Sequence, residues 1–438
     1  MGSEKRKTRD RHGARGKASY DKLKPSITEL EEREDADQFQ SGHLGIVGGD
    51  SDETTEDITQ TGIAGDQGRG RSAYLVACHW DWSRYSKPYA VYNVGVTSTS
   101  SPPQPKRKRL RRITRLPTAA GGKSFTSVRS IHRAWIVCVG GDPGDTIIFD
   151  TRTEKVIHGP VLNSAKWCPA LMAVGDKVYA MSKSPSWIAD PDFPPWFEVL
   201  DLSQSKVVTV ADRSYHLEGC SWTKLPHPPC FPWKLRPVQY ALLPVVILRS
   251  YVVVDTYLLV SFNQPLGTYA FDTNSLKWHK VDDKRLPFTG CATPHGSVFL
   301  GLSKDNGPIS AYRINVTTSD KDHDPCLSIT VLQVKYMEYE VDAGSCFFSL
   351  ENGLFCSLSF SLDSSSVIRT KNLEFFPTKA HVDLRTYQTE NTSPLEAPEE
   401  TLLAVKPEVT VCSQWEQAFK ISCSSHGFSP FAFTVLSI

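Results

Sequence analysis

The side chains able to do chemistry are dispersed along this chain. Its twelve histidines occur singly. His79 and Asp81 alternate with Cys78 and Trp80 on a strand-like stretch, which places the two polar groups together on what is ordinarily a solvated face. His158, His279 and His295 fall near expected strand ends, where a lone imidazole serves as a hydrogen-bonded turn residue. There is no His-Glu-x-x-His, no phosphate-cradling glycine loop and no Gly-x-Ser-x-Gly elbow. Eleven cysteines without a Cys-x-x-Cys pair read as buried thiols in a reducing compartment, not as a disulfide framework. No catalytic, cofactor-binding or metal-ligating residue is assigned, and no cofactor is expected.

Two dense features remain. Lys106, Arg107, Lys108, Arg109, Arg111 and Arg112, interrupted only by Leu110, match a monopartite nuclear-import pattern. Aromatics are not interleaved with these cations and the net charge is only +1, so nucleic acid is not the expected partner. The second feature is a pair of Pro-rich inserts. Ser184–Trp196 carries Trp187, Phe193 and Trp196, while Leu225–Pro237 carries Phe231 and Trp233. Rigid aromatics flanked by prolines lose little entropy on binding and are favoured hot-spot types. These five are the candidate partner-binding residues, with a protein or peptide as the expected partner and a monomer as the expected state.

The elements that must position these features are short strands in a repeated order. One marker appears as Ile136–Val139, Val178–Met181, Leu258–Ser261 and Val298–Gly301, a spacing of about 40 residues doubled once, between 178 and 258. A second marker follows each, as Ile148–Thr151, Val199–Leu202, Ala270–Thr273 and Ala311–Ile314, and in the first and third an aromatic-Asp-Thr ends the strand. The third is a Trp strand with a Leu-Pro pair: Trp222 with Leu225-Pro226, and Trp278 with Leu286-Pro287. Ile113–Pro117 is a weaker copy. An all-strand repeat of this length spells propeller blades, and the doubled spacing reads as one blade swollen by the two inserts.

With the pair Gly140-Gly141 after Val139, these residues resemble the kelch-like β-propeller family, especially its large group of plant members. The resemblance implies an all-β propeller of five to six antiparallel blades, some degenerate, acting as a non-catalytic protein-interaction module. It also carries alternatives. Some kelch-fold proteins are secreted copper radical oxidases, and a nuclear nucleic-acid-associated factor is a further reading built on the basic run.

Composition sets the boundaries. Residues 1–71 contain no Trp, a basic start and an acidic stretch Glu29–Asp66 in which Arg33 is the lone cation. Such a segment cannot bury enough apolar area to offset its ordering entropy, so a disordered tail is expected. The propeller is expected over 72–363, followed by a poorly defined segment, 364–438, whose strand Phe431–Leu436 could close the ring. Pro244, Arg249 and Asp255 interrupt the most apolar stretch, which excludes a membrane helix there and favours two buried strands, Leu242–Leu248 and Tyr251–Val260. No apolar run follows the basic start, so the expected location is cytoplasm or nucleus, not the secretory route.

Overall fold

In a strand, successive side chains leave on opposite sides, so a sheet covered on both faces needs apolar residues at every position. The strand Ser72–Trp80 shows the consequence. Ala73, Leu75 and Ala77 enter one hydrophobic cluster, whereas Tyr74 and Val76 enter another. The computed structural model describes residues 72–80, 89–96, 108–116, 122–130, 133–184, 196–231, 246–318 except 264 and 305–308, 325–335, 346–390 with short gaps, 408–422 and 427–437. Among these there is no helix.

Twenty-four of the 29 described strands form six four-stranded antiparallel blades. Blade 1 joins Gly427–Ser437, Ser72–Trp80, Tyr89–Gly95 and Arg111–Leu116, in that order from the centre outwards. Blade 2 is Lys123–Arg129, Ala134–Gly140, Asp145–Asp150 and Lys155–His158. Blade 3 is Ala170–Val174, Lys177–Met181, Phe197–Asp201 and Trp222–Lys224. Blade 4 is Leu248–Val254, Tyr257–Phe262, Thr268–Asp272 and Lys277–Asp282. Blade 5 is Phe288–His295, Val298–Ser303, Ile309–Thr318 and Pro325–Lys335. Blade 6 is Cys346–Leu350, Leu354–Leu362, Lys379–Thr389 and Glu408–Ser422. Short parallel links join blade 4 to blade 5 and blade 5 to blade 6.

Six hydrophobic clusters lie between the blades, one at each junction from 1/2 round to 6/1. The innermost strands neighbour one another in the same closed cycle. This is a β-propeller whose first blade is completed by the last strand of the chain. Three strands past residue 363, namely Lys379–Thr389, Glu408–Ser422 and Gly427–Ser437, are integral to blades 6 and 1.

The swollen repeat is blade 3, but the inserts are not its only addition. A hairpin, Lys206–Thr209 with Tyr215–Glu218, leaves blade 3 and pairs in parallel with the outermost strand of blade 2. The apolar stretch after Ala241 supplies Leu248–Val254 and Tyr257–Phe262 to blade 4, both starting later than expected. The turn between them falls at Asp255, which adopts φ 50. The expectation for residues 1–71 lies outside the described residues.

The repeated markers have local reasons. Asp150, Asp201 and Asp272 end the third strands of blades 2, 3 and 4, and each carboxylate accepts a turn N–H two residues on, from Arg152, Ser203 and Asn274 at 2.9–3.0 Å. Thr151 and Thr273 then donate their hydroxyls to the Ala134 and Thr256 carbonyls at 2.8 and 2.7 Å, which ties the end of each third strand to the second strand beside it. The marker tryptophans reach between blades. Trp222 Nε1 donates to Thr146 Oγ1 at 2.9 Å, and Trp278 Nε1 donates to the Pro226 carbonyl at 2.7 Å.

Candidate partner-binding face

All six innermost strands begin at one end of the propeller, and the described roots of both Pro-rich inserts lie at that end. The register of the blades requires it: Lys123 opens its strand opposite Gly140, and Met181 closes its strand opposite both Ala170 and Phe197. Trp187, Phe193 and Trp233 lie outside the described residues. Trp196 and Phe231 are a correction: they are 4% and 1% exposed and belong to the core between blades 3 and 4. Their rings meet edge to face at 5.0 Å, and Phe231 continues onto Phe262 at 5.6 Å. A ring so enclosed anchors the root of its insert and has no face left for a partner.

The connection 159–169, from blade 2 to blade 3, supplies what those two residues do not. It crosses the same end and is fastened by backbone bonds: Leu162 N to Gly144 O at 3.0 Å, Gly141 N to Lys166 O at 2.9 Å and Cys168 N to Gly122 O at 2.8 Å. Beneath it, Lys166 Nζ donates to Glu198 Oε1 with both side chains buried. Glu198 Oε2 accepts from Asn163 N and Nδ2 at 2.9 and 2.6 Å, and Asn163 Nδ2 also donates to the Trp222 carbonyl. Desolvation pushes the Lys166 ammonium below the usual lysine range, while the Glu198 charge and hydrogen bond pull it back up. A buried pair of this kind adds little net stability, because the cost of desolvating both charges offsets their attraction.

On top of this network the side chains alternate. Leu162 and Lys166 point in, whereas Val161 and Trp167 are 50% and 47% exposed. The Trp167 ring rests on Gly122, where a Cβ would lie 2.5 Å from the indole. Gly122 also holds φ +72, so glycine is required there on both counts. Gly140 is similarly constrained, with φ +121 and a Cβ position 2.6 Å from the Gly122 carbonyl. A half-exposed indole thus packs flat against the backbone of Gly122 at the end where the innermost strands begin. Sequence reasoning passed over Trp167; its only signal was a Trp in a short connection bounded by Pro160 and Pro169.

The basic run is built into the seam between blades 6 and 1. Lys108 and Arg109 pair in parallel with Phe419 and Lys420, and Leu110 N donates to the Lys420 carbonyl at 3.2 Å. Leu110 is buried in the blade 6/1 core, whereas Lys108, Arg109, Arg111 and Arg112 are exposed. Arg111 lies 3.9 Å from Glu154. Lys106 and Arg107 lie outside the described residues.

The remaining chemistry is structural. Among the described residues no three His, Cys, Asp or Glu side chains form a group able to hold a metal. The side chains of His79 and Asp81 lie outside them. His158 stacks on His216 at 5.2 Å where the extra hairpin meets blade 2. His295 is buried between blades 5 and 6, with Nδ1 2.9 Å from Ser349 Oγ and Nε2 2.9 Å from Thr389 Oγ1; burial lowers its pKa to about 4. The thiols are not uniformly buried: Cys138 and Cys356 are, but Cys291, Cys326 and Cys412 are exposed.

Residues 70–409 match the family described as Protein of unknown function (DUF1668). The chain belongs to that family. No curated protein matches it. Solved structures similar to it include the β-propeller domain of Cps50 (Swd1) from Myceliophteria thermophila, at 11% identity and TM-score 0.31, covering 72% of this chain and 83% of that one. Another is a putative 6-phosphogluconolactonase from Bacteroides uniformis, at 10% identity and TM-score 0.33, covering 84% and 100%. At those scores the likeness adds nothing to the fold argument, which stands on the blade pairing and the six inter-blade cores. No membrane-spanning helix occurs among the described residues.

Proposed function

We propose that this member of the family is a non-catalytic protein-interaction module that docks a protein or peptide on the loop-bearing end of its propeller. The observation that carries the reading is Trp167: a large aromatic, half exposed, immobilised on Gly122 above the Lys166–Glu198 network. Ordering such a ring costs a partner little, because its rotamer is already fixed. Loops on a rigid scaffold are where binding residues concentrate. Trp187, Phe193 and Trp233, on inserts rooted at the same end, belong to the same proposal, as do a kelch-like ancestry, a plant source and a monomeric state.

The test is capture by the immobilised full chain, with the partner identified by mass spectrometry. Trp167→Ala and Val161→Asp should each reduce capture at least tenfold, while Val331→Asp, an exposed position on the outer strand of blade 5, should not. Equal capture by all four proteins would remove this face as the interface.

A second reading concerns location. Nuclear import through Lys106–Arg112 is supported by the outward exposure of Lys108, Arg109, Arg111 and Arg112. A full-length fluorescent fusion should lose nuclear accumulation on Lys108→Ala with Arg109→Ala and Arg111→Ala. An unchanged distribution would leave the run as surface charge at the blade seam.

A further inference from the structure

We infer that the partner seated on this face is an acidic peptide segment, held by an arc of cations on blades 3 to 5 beside the Trp167 ridge. The inference rests on the docking-face reading and names the chemistry of its partner. Lys183 follows the second strand of blade 3, Arg249 lies on the innermost strand of blade 4, Arg285 is in the connection from blade 4 to blade 5, and Lys304 follows the second strand of blade 5. All four are exposed.

Backbone bonds bring them together. Leu248 N donates to the Lys183 carbonyl at 2.7 Å, which puts Lys183 next to Arg249. Ser250 and Tyr251 pair in parallel with Gly290 and Cys291, which aligns Arg249 with Thr289 at the start of blade 5. Lys304 N donates to the Pro287 carbonyl at 3.1 Å, two residues beyond Arg285.

Among the described residues, none of the four cations has a carboxylate partner. Elsewhere, cations in comparable turns and strand ends do: Arg133 with Asp176, Lys166 with Glu198, Lys177 with Asp201. Among the described residues, the acids beside Arg285 are engaged elsewhere. Asp283 pairs with Lys280 at 2.6 Å, and Asp282 accepts the Lys284 N–H at 2.9 Å. Among the described residues, Asp142 and Asp363 lie beside strands of blades 2 and 6, on blades other than those that carry the four cations. A surface on which charges of one sign gather steers a ligand of the other sign. Nucleic acid also carries that sign, but a net charge of +1 gives no global pull towards a polyanion, which favours a short acidic peptide.

Geometry sets the length of the recognised segment. Blades pack face to face at ~10 Å, so the blade 4/5 junction lies about 20 Å round from the 2/3 junction, and an extended peptide at ~3.3 Å per residue covers this in about six residues. The expected motif is an apolar anchor for Trp167 with acidic residues within that reach.

Fluorescence anisotropy of the full chain separates the possibilities, using a labelled peptide of mixed Leu and Glu, its Gln-for-Glu analogue, and a labelled single-stranded oligonucleotide. The Glu peptide should bind at least tenfold tighter than the Gln analogue at low salt, and raised ionic strength should erase the difference. Arg249→Glu with Arg285→Glu should abolish the preference, with unfolding transitions unchanged because both residues are exposed. Lys183→Gln with Lys304→Gln should weaken it without charge reversal. Trp167→Ala should weaken both peptides alike. If Trp167→Ala weakens binding but the charge variants change nothing, the docking face stands and the acidic-partner inference is overturned. If the oligonucleotide binds as tightly as the Glu peptide and loses its affinity in the same charge variants, the inference is likewise overturned. Binding unaffected by any variant overturns both readings.

Discussion

Trp167 and Trp196 are the same residue type at the same end of the molecule, and their surroundings assign them opposite tasks. Trp196 is enclosed by Phe231 and His227 in the blade 3/4 core. Trp196→Ala should therefore cost about 3–5 kcal/mol, as large-to-small changes of a buried aromatic do, read as a lowered urea midpoint. Trp167→Ala removes a half-exposed ring and should cost about 1 kcal/mol or less. Equal losses in the two variants would contradict the burial described. His295 adds a pH signature. Its neutral ring bridges Ser349 and Thr389 and meets Phe355 edge on at 5.7 Å, with no charged side chain among those contacts. Its folded pKa of about 4 lies below the ordinary 6.5, so the unfolded chain binds the proton more readily. The contribution of the neutral ring is complete above pH 6.5 and is lost as pH falls towards 4, with a limiting slope of about 1.4 kcal/mol for each pH step between those two values. His295→Gln should flatten that part of the stability profile; an identical slope in both proteins would show that the imidazole does not titrate there.

At the scale of elements, the turn after the third strands of blades 2 and 4 explains what the two nearly identical repeats preserve. The Asp carboxylate satisfies turn N–H groups, and the following Thr hydroxyl reaches back to the preceding hairpin. Burial alone would raise the Asp272 pKa, but the bonds from Asn274 and Ser275 outweigh it and hold the carboxyl below its usual range. Thr151→Val and Thr273→Val should each cost about 1 kcal/mol, the worth of one intramolecular hydrogen bond, and the two losses should add because the blades differ. A urea titration of the single and double variants reads both values; strong non-additivity would show that the two turns are coupled through the ring. This is why the fold was legible: blades 2 and 4 carry the same turn residues at the same offset from the strand end, and Phe149-Asp150-Thr151 and Phe271-Asp272-Thr273 state it outright. The binding face was not legible for the converse reason. Nothing local distinguishes Trp196 from Trp167; the difference is whether a neighbouring blade covers the ring, and that depends on residues such as Phe262, which is distant in sequence and reaches Trp196 through Phe231. The hairpin Lys206–Glu218 was hidden similarly, since its anchor is a strand of another blade.

At the scale of the whole molecule, the ring closes through residues that sequence patterning left at its margin. Gly427–Ser437 supplies the innermost strand of blade 1, pairing from Ala73–Ser437 to Trp80–Gly427. Without it, Ser72–Trp80 would be an unpaired edge facing the axis, its backbone groups unsatisfied where the other five blades are complete. The seam has a second fastening, because Lys108 and Arg109 pair with the outermost strand of blade 6 and Leu110 enters the 6/1 core. Truncation after Ser422 should therefore be far more damaging than its length suggests. The expected outcome is loss of the single cooperative unfolding transition, with blade 1 protons exchanging rapidly while blades 3 to 5 retain protection. A synthetic peptide of residues 423–438 added in trans should restore protection to Ser72–Trp80, since the site it fills is defined by register and not by covalent linkage. Leu110→Ala weakens the other fastening and should make the truncated protein worse but the full chain only modestly less stable. If the truncated protein unfolds as cooperatively as the full chain, with Ser72–Trp80 still protected, the last strand is an ornament on a ring closed some other way.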